Sequence, residues 1–294
     1  MSIRQQIGIV IGVAALALWA GGNARAAGRI PDEYRVGGFA IGCEAYTFNH
    51  YTAFEAIEKT AEAGGHVIEF FPGQSLSPDE RDVKVDYTAS DETINKLKDK
   101  LKECNVMAVN FGVVALPNDE AECRKVFEFA KKMGMVAITS EPSEDALDVI
   151  EKLAKEYDIN VAIHNHPRQP NNPNYKVWDP NYVLSLVKDR DHHLGACADT
   201  GHWMRSGINP VLALKILKGR IISSHLKDLN TFGPDAHDVP YGTGQANIPA
   251  ILDELKSQGF DGNISIEYEY HWTNSLPEVA QCIGFVRGYS AAKY

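Results

Sequence analysis

The segment VAIHNHP, Val161 to Pro167, runs an apolar stretch straight into two histidines, His164 and His166. Side chains two apart on an extended chain point the same way, so both imidazoles are expected side by side at a strand end. The pattern recurs along the chain. Short apolar runs close on Glu44, Glu69, Asn110, Glu141, Asp199, His225, and Glu267 with Glu269, side chains that bind cations, accept hydrogen bonds or move protons. Taken singly, each has an ordinary reading as a satisfied core residue or a solvated charge. As a ring at strand ends they imply a cation, a substrate or both, because unpaired buried ionisable groups are costly. Asp, Glu and His without Cys suit Mn²⁺, Mg²⁺, Co²⁺, Fe²⁺ or Zn²⁺.

The elements that must position this ring are legible. Strand candidates are FAIGCEAY, HVIEFF, VMAVNFG, MVAITSE, VAIHNH, LGACADT, IISSHL and ISIEYEY. Helix-period segments lie between them. Ser90 is placed to cap DETINKLKDKLKEC, Ser143 to cap EDALDVIEKLAKEY, and Asp179-Pro180 and Asn209-Pro210 each set a capping side chain before a first-turn proline. Eight strands alternating with helices predict an α/β protein, a single (β/α)₈ TIM barrel, whose active site lies at the C-terminal strand ends. No G-x-G-x-x-G follows an early strand, so a dinucleotide fold has no support.

Composition sets the broader bounds. The 294 residues are 44% hydrophobic and 23% charged, ordinary for a globular protein. Arg4, the apolar run Ile7 to Ala20 and Ala24-Arg25-Ala26 predict a secretory signal over 1–26, a linker over 27–38 and a barrel over 39–294. The expected location is therefore exported, periplasmic or secreted, with no membrane association after signal removal. The formal charge of −10 becomes −12 once Arg4 and Arg25 are removed, which disfavours nucleic acid as a partner. Cys43, Cys104, Cys123, Cys197 and Cys282 show no metal-binding spacing and read as small buried residues.

Four segments carry a family resemblance: CADTGHW, SSHLKD, DAHDVPYGTG and GNISIEYE. From about Phe39 onward the chain resembles the xylose-isomerase-like TIM barrels, a superfamily of sugar phosphate isomerases and epimerases, dehydratases, C-glycoside-cleaving enzymes and apurinic endonucleases. The resemblance implies one divalent ion held at the ends of strands five to eight, here by His164, Asp199, His225 and Glu267. The epimerase branch usually has glutamate at the strand-five position, and this chain has His164. That branch also carries an arginine several residues beyond the strand-seven histidine, and HLKDLNTFG has none. His164 weakens a two-glutamate epimerase mechanism, and the missing arginine, with the acidic composition, points to a neutral, non-phosphorylated sugar.

The expected function is that of an exported, divalent-metal-dependent carbohydrate enzyme of sugar isomerase/epimerase type. An ion bound to an α-hydroxy carbonyl stabilises the enediolate formed when a base removes the neighbouring proton. His166, Glu267, Glu269 and Glu141 are the acid-base candidates. Glu69, His202, Lys227, His237 and Trp203 are expected to contact substrate. The alternative is a lyase or hydratase acting on a keto-glycoside or keto-sugar. An apurinic-endonuclease-like phosphodiesterase ranks behind both. The expected partner is a small-molecule carbohydrate, and a homo-oligomer remains open.

Overall fold

The eight apolar runs form eight parallel strands in the computed structural model, which describes residues 30–293. They are β1 (Ala40–Glu44), β2 (Val67–Phe70), β3 (Met107–Phe111), β4 (Ala137–Ser140), β5 (Asn160–His164), β6 (Leu194–Cys197), β7 (Ile221–Leu226) and β8 (Asn263–Ile266). Each pairs with its sequence neighbours, and β8 closes the cylinder on β1 with Ala40 opposite Asn263 and Cys43 opposite Ile266. The protein is a (β/α)₈ barrel. Closure leaves the barrel no open edge, and the strands are almost wholly buried, as expected for parallel strands covered by helices.

The surrounding helices are α1 (Ala53–Glu62), α2 (Asp91–Cys104), α3 (Glu120–Met133), α4 (Leu147–Tyr157), α5 (Pro180–Val187), α6 (Thr200–Arg205), α7 (Pro210–Ile216), α8 (Ile248–Ser257) and α9 (Leu276–Lys293). Most start where their capping residues dictate. Thr52 and Glu55 form a capping box, the Ser90 hydroxyl accepts from the Thr93 N–H, and Asp179 and Asn209 cap the helices that open on Pro180 and Pro210. Ser143 differs: it makes no side-chain cap, its hydroxyl engages the Asp145 carboxylate, and a short 3₁₀ turn precedes α4.

Two features lie outside the predicted alternation. An antiparallel hairpin, Gln74–Ser77 with Glu80–Val85, stands between β2 and α2. Its second strand alternates too weakly to be read, since Arg81, Asp82 and Lys84 face solvent. Ile30, in the stretch read as a linker, clusters with Ala40 and Val67, the first residues of β1 and β2, and with Val109 of β3. The predicted signal over 1–26 lies outside the described residues. No described helix is long and apolar enough to cross a membrane, and none of the five cysteines is paired.

Candidate metal centre

Four strand ends deliver the centre. His164 closes β5, His225 is the penultimate residue of β7, Asp199 lies two residues past β6, and Glu267 follows β8. All four are buried, and each offers one ligand atom within 4.8 Å of the others. His164 Nε2 lies 3.6 Å from Asp199 Oδ2, and His225 Nδ1 lies 3.2 Å from Glu267 Oε2. Asp199 serves two purposes: its side chain caps α6 by accepting from the His202 N–H, while Oδ2 turns inward. Asn165, between the two histidines, holds Asp199 in place by bonding its N–H and C=O, both at 3.0 Å.

The fit to a cation shows in the atoms left over. His164 Nε2 and Asp199 Oδ2 are buried without a hydrogen-bond partner, although Asp199 Oδ2 has an ion-pair neighbour in the Lys227 ammonium at 3.1 Å. Two imidazoles and two carboxylates in this arrangement match the ligand chemistry of divalent transition ions.

Each imidazole of the cluster has a carboxylate on its far side. His225 Nε2 lies 3.1 Å from Glu69 Oε2, and His164 Nδ1 lies 3.2 Å from Glu141 Oε1. Such partners fix ring orientation and raise basicity. Burial opposes charge on His164, but Asp199 and Glu141 outweigh it and push the imidazole up to about 9. Glu69 is held below the usual carboxylate range despite burial, by the His225 charge and by hydrogen bonds from His225, Thr139 and Ser265. Glu44 goes the other way: burial beside Glu267 and Glu69 raises it well above that range.

The remaining candidates sort by what they touch. His166 is half exposed, its ring centroid 4.6 Å from that of His164, with Nδ1 on Glu141 Oε1. The Tyr175 hydroxyl donates to Glu141 at 3.0 Å and accepts from the His166 N–H. Glu269 accepts from Lys227 and Arg205. His202 lies 3.6 Å from Asp199 Oδ2 and 3.1 Å from Arg205 Nη1. His237 stacks on Tyr270 with centroids 4.5 Å apart.

Three expected substrate contacts need correction. Glu69 is fully buried and both its oxygens are committed, to Thr139, Ser265 and His225, so it supports a ligand ring. Trp203 is 1% exposed and belongs to the hydrophobic core. Lys227 is equally buried, with its ammonium on Asp199, Glu267 and Glu269. Reading by strand ends alone missed Tyr175, Arg205, Phe71 and Trp272, the last two meeting the ring of Tyr46 at 5.2 and 5.8 Å. The available signal was the aromatic run after Glu267, YEYHW.

A family model described as xylose isomerase-like TIM barrel matches residues 57–288. The chain belongs to the xylose isomerase-like TIM barrel family. An uncharacterized protein of Methanocaldococcus jannaschii, MJ1311, is 34% identical over 125 residues, which span 41% of each chain. A crystal structure of an uncharacterized protein from Parabacteroides distasonis is 34% identical, covers 85% of this chain and 99% of its own, and superposes with a TM-score of 0.69. A D-tagatose 3-epimerase-like protein shares 20% identity over 86% of this chain and 97% of its own, with a TM-score of 0.65. The probable 3-DHS dehydratase AsbF of Bacillus anthracis shares 16% over 83% and 97%, with a TM-score of 0.63. At those identities the last two share the barrel fold of the xylose isomerase-like family.

Proposed function

We propose that the protein is an exported, divalent-metal-dependent enzyme of sugar isomerase/epimerase type, acting on a neutral sugar that carries an α-hydroxy carbonyl. The observation behind this reading is the meeting of His164, Asp199, His225 and Glu267 from four separate strand ends. A divalent ion held by these residues supplies Lewis acidity to a carbonyl and its neighbouring hydroxyl. The chain supplies the proton chemistry. His166, half exposed and steered through Nδ1 by Glu141, leaves Nε2 free to take a proton from one side of a bound sugar. Glu267 and Glu269, held beside Lys227, are the further acid-base groups of the same cluster. Tyr46, Phe71 and Trp272 present ring faces and edges at the rim for the apolar side of a sugar. The acidic composition and the leader-like first 26 residues favour an exported protein with a non-phosphorylated substrate.

The test is α-proton exchange. Mn²⁺- or Zn²⁺-loaded protein is incubated with keto- and aldo-sugars in D₂O and followed by NMR. Solvent deuterium in the substrate, lost in His164→Ala and Asp199→Ala together with bound metal, is expected. Absence of exchange with every sugar would overturn the reading.

A second reading, a lyase or hydratase on a keto-glycoside or keto-sugar, is favoured by His164 itself. An imidazole stands where the two-glutamate mechanism needs a carboxylate, so the acid-base groups of the site are unlike, His166 with Glu141 and Tyr175 beside Glu267 and Glu269. Unlike groups suit removal of a proton by one and protonation of a leaving oxygen by another. Release of an aglycone or water in the same experiment would select it.

A further inference from the structure

Lys227 is fully buried one residue past β7. Its ammonium lies 2.7 Å from Glu267 Oε2, 3.1 Å from Asp199 Oδ2 and 2.7 Å from Glu269 Oε2. The first two carboxylates belong to the four-ligand cluster. The side chain occupies a slot shaped for it. A Cβ on Gly201 would stand 2.7 Å from Lys227 Cδ and 2.8 Å from its Cβ, so only glycine lets the stem pass helix α6. The neighbouring Thr200 hydroxyl accepts from the Lys227 N–H at 2.8 Å and donates to the Lys227 carbonyl at 2.9 Å. On the far side, Glu269 also accepts from Arg205 at 2.9 Å, and Arg205 reaches Asp238 at 3.0 Å. The ammonium therefore has a second anchorage that is no part of the ligand set.

We propose that Lys227 is a positioning residue, an internal counter-cation that keeps Asp199 and Glu267 converged before a divalent ion arrives and weakens the hold on that ion once it is there. The proposal rests on the metal-dependent reading above. Two buried carboxylates facing one another repel unless a positive charge stands between them. The same charge opposes an incoming ion bound to the same oxygens, because like charges a few ångströms apart in a poorly solvated interior interact strongly. Glu269 relieves the conflict by keeping the ammonium when Asp199 and Glu267 turn to the ion. The ammonium then stays close to the bound ion, screened by Glu269 but still opposing it.

Isothermal titration calorimetry of metal-stripped protein with Zn²⁺ and Mn²⁺ tests this, together with thermal unfolding before metal is added. Lys227→Met is expected to bind either ion about tenfold or more tighter than wild type and to unfold at lower temperature when stripped. Lys227→Gln carries the same expectation if the methionine variant fails to fold. Glu269→Gln is expected to bind more weakly, and that loss should shrink when Lys227→Met is also present, since Glu269 acts through the ammonium. Unchanged or weaker binding by both Lys227 variants overturns the proposal, as does a Glu269→Gln effect that persists undiminished in the double variant. A wild-type protein that binds neither ion overturns the metal reading and this inference together, whereas normal binding without these shifts overturns the inference alone.

Discussion

Glu69 and His225 face each other at 3.1 Å inside the barrel, and the other nitrogen of the same imidazole points to Glu267 at 3.2 Å. Glu69 is in turn fixed by Thr139 and Ser265, each at 2.7 Å, and Thr139 by Asn110 at 2.8 Å. A chain of strand residues thus sets the tilt of one ligand ring. Loss of such a support typically lowers metal affinity by about 10- to 100-fold. Glu69→Gln is expected to weaken Zn²⁺ and Mn²⁺ binding by that order while circular dichroism remains that of the folded barrel. Unchanged affinity would detach Glu69 from the centre.

His164 and His166 should separate in their effects. His164→Ala removes a ligand, so bound metal is expected to disappear with activity. His166→Ala is expected to keep the metal and lose roughly 10²- to 10⁴-fold in proton exchange. Elemental analysis beside NMR exchange rates distinguishes the two, and metal loss from both variants would remove the division of labour.

Asp228 supplies a stability prediction. Its carboxylate accepts the backbone N–H groups of Gly242 and Gly244 through one oxygen and of Ala246 through the other, at 2.9, 3.0 and 2.9 Å. A Cβ at Gly244 would lie 2.3 Å from that carboxylate, which explains the glycine. Asp228→Ala would strip three donors of their partner; that of Ala246 is buried and costly to leave unsatisfied, while those of Gly242 and Gly244 are within reach of water. A loss of ~1–3 kcal/mol is expected, read as a lower midpoint in urea unfolding. A change below ~0.5 kcal/mol would show that water replaces the carboxylate.

Asp238 predicts a pH dependence. Burial, with Glu269 and Asp199 nearby, pushes its carboxyl up to about 7 against the pull of Lys227 and Arg205. Its Oδ1 is buried without a hydrogen-bond partner. A folded pKa above the unfolded value means that the native state binds the proton more tightly. The contribution is complete below about pH 4 and is lost as pH rises through 7. Stability should therefore decline across that interval with a slope of up to ~1.4 kcal/mol per pH unit from this group. Asp238→Asn is expected to flatten this component in unfolding curves collected from pH 4 to 8, and an identical slope in the variant would contradict it.

The barrel was legible because apolar runs at regular spacing, capping residues and first-turn prolines all demand the same alternation. The meeting of His164, Asp199, His225 and Glu267 was legible because each stands at or just past the end of an apolar strand, where chemistry-bearing side chains stand out. What escaped was partnership at a distance. Nothing local distinguishes Glu69 as a support for His225, since its neighbours Thr139, Ser265 and His225 lie on other strands. Trp203 follows a ligand motif and yet faces the core, because the first turn of α6 points it away from the mouth. Arg205 lies three residues from His202 on the same helix, and only the return of the chain through Asp238 and Glu269 gives it a role.

The clasp of Asp228 on Gly242, Gly244 and Ala246 also bears on how this molecule can diversify. The chain that leaves β7 is gathered at its base, while residues 231–235 form an appendage open to solvent over most of its length. Mutation can rewrite that appendage without disturbing His225 or Glu267, so this loop can drift from one descendant to another while the cluster at the strand ends is inherited intact.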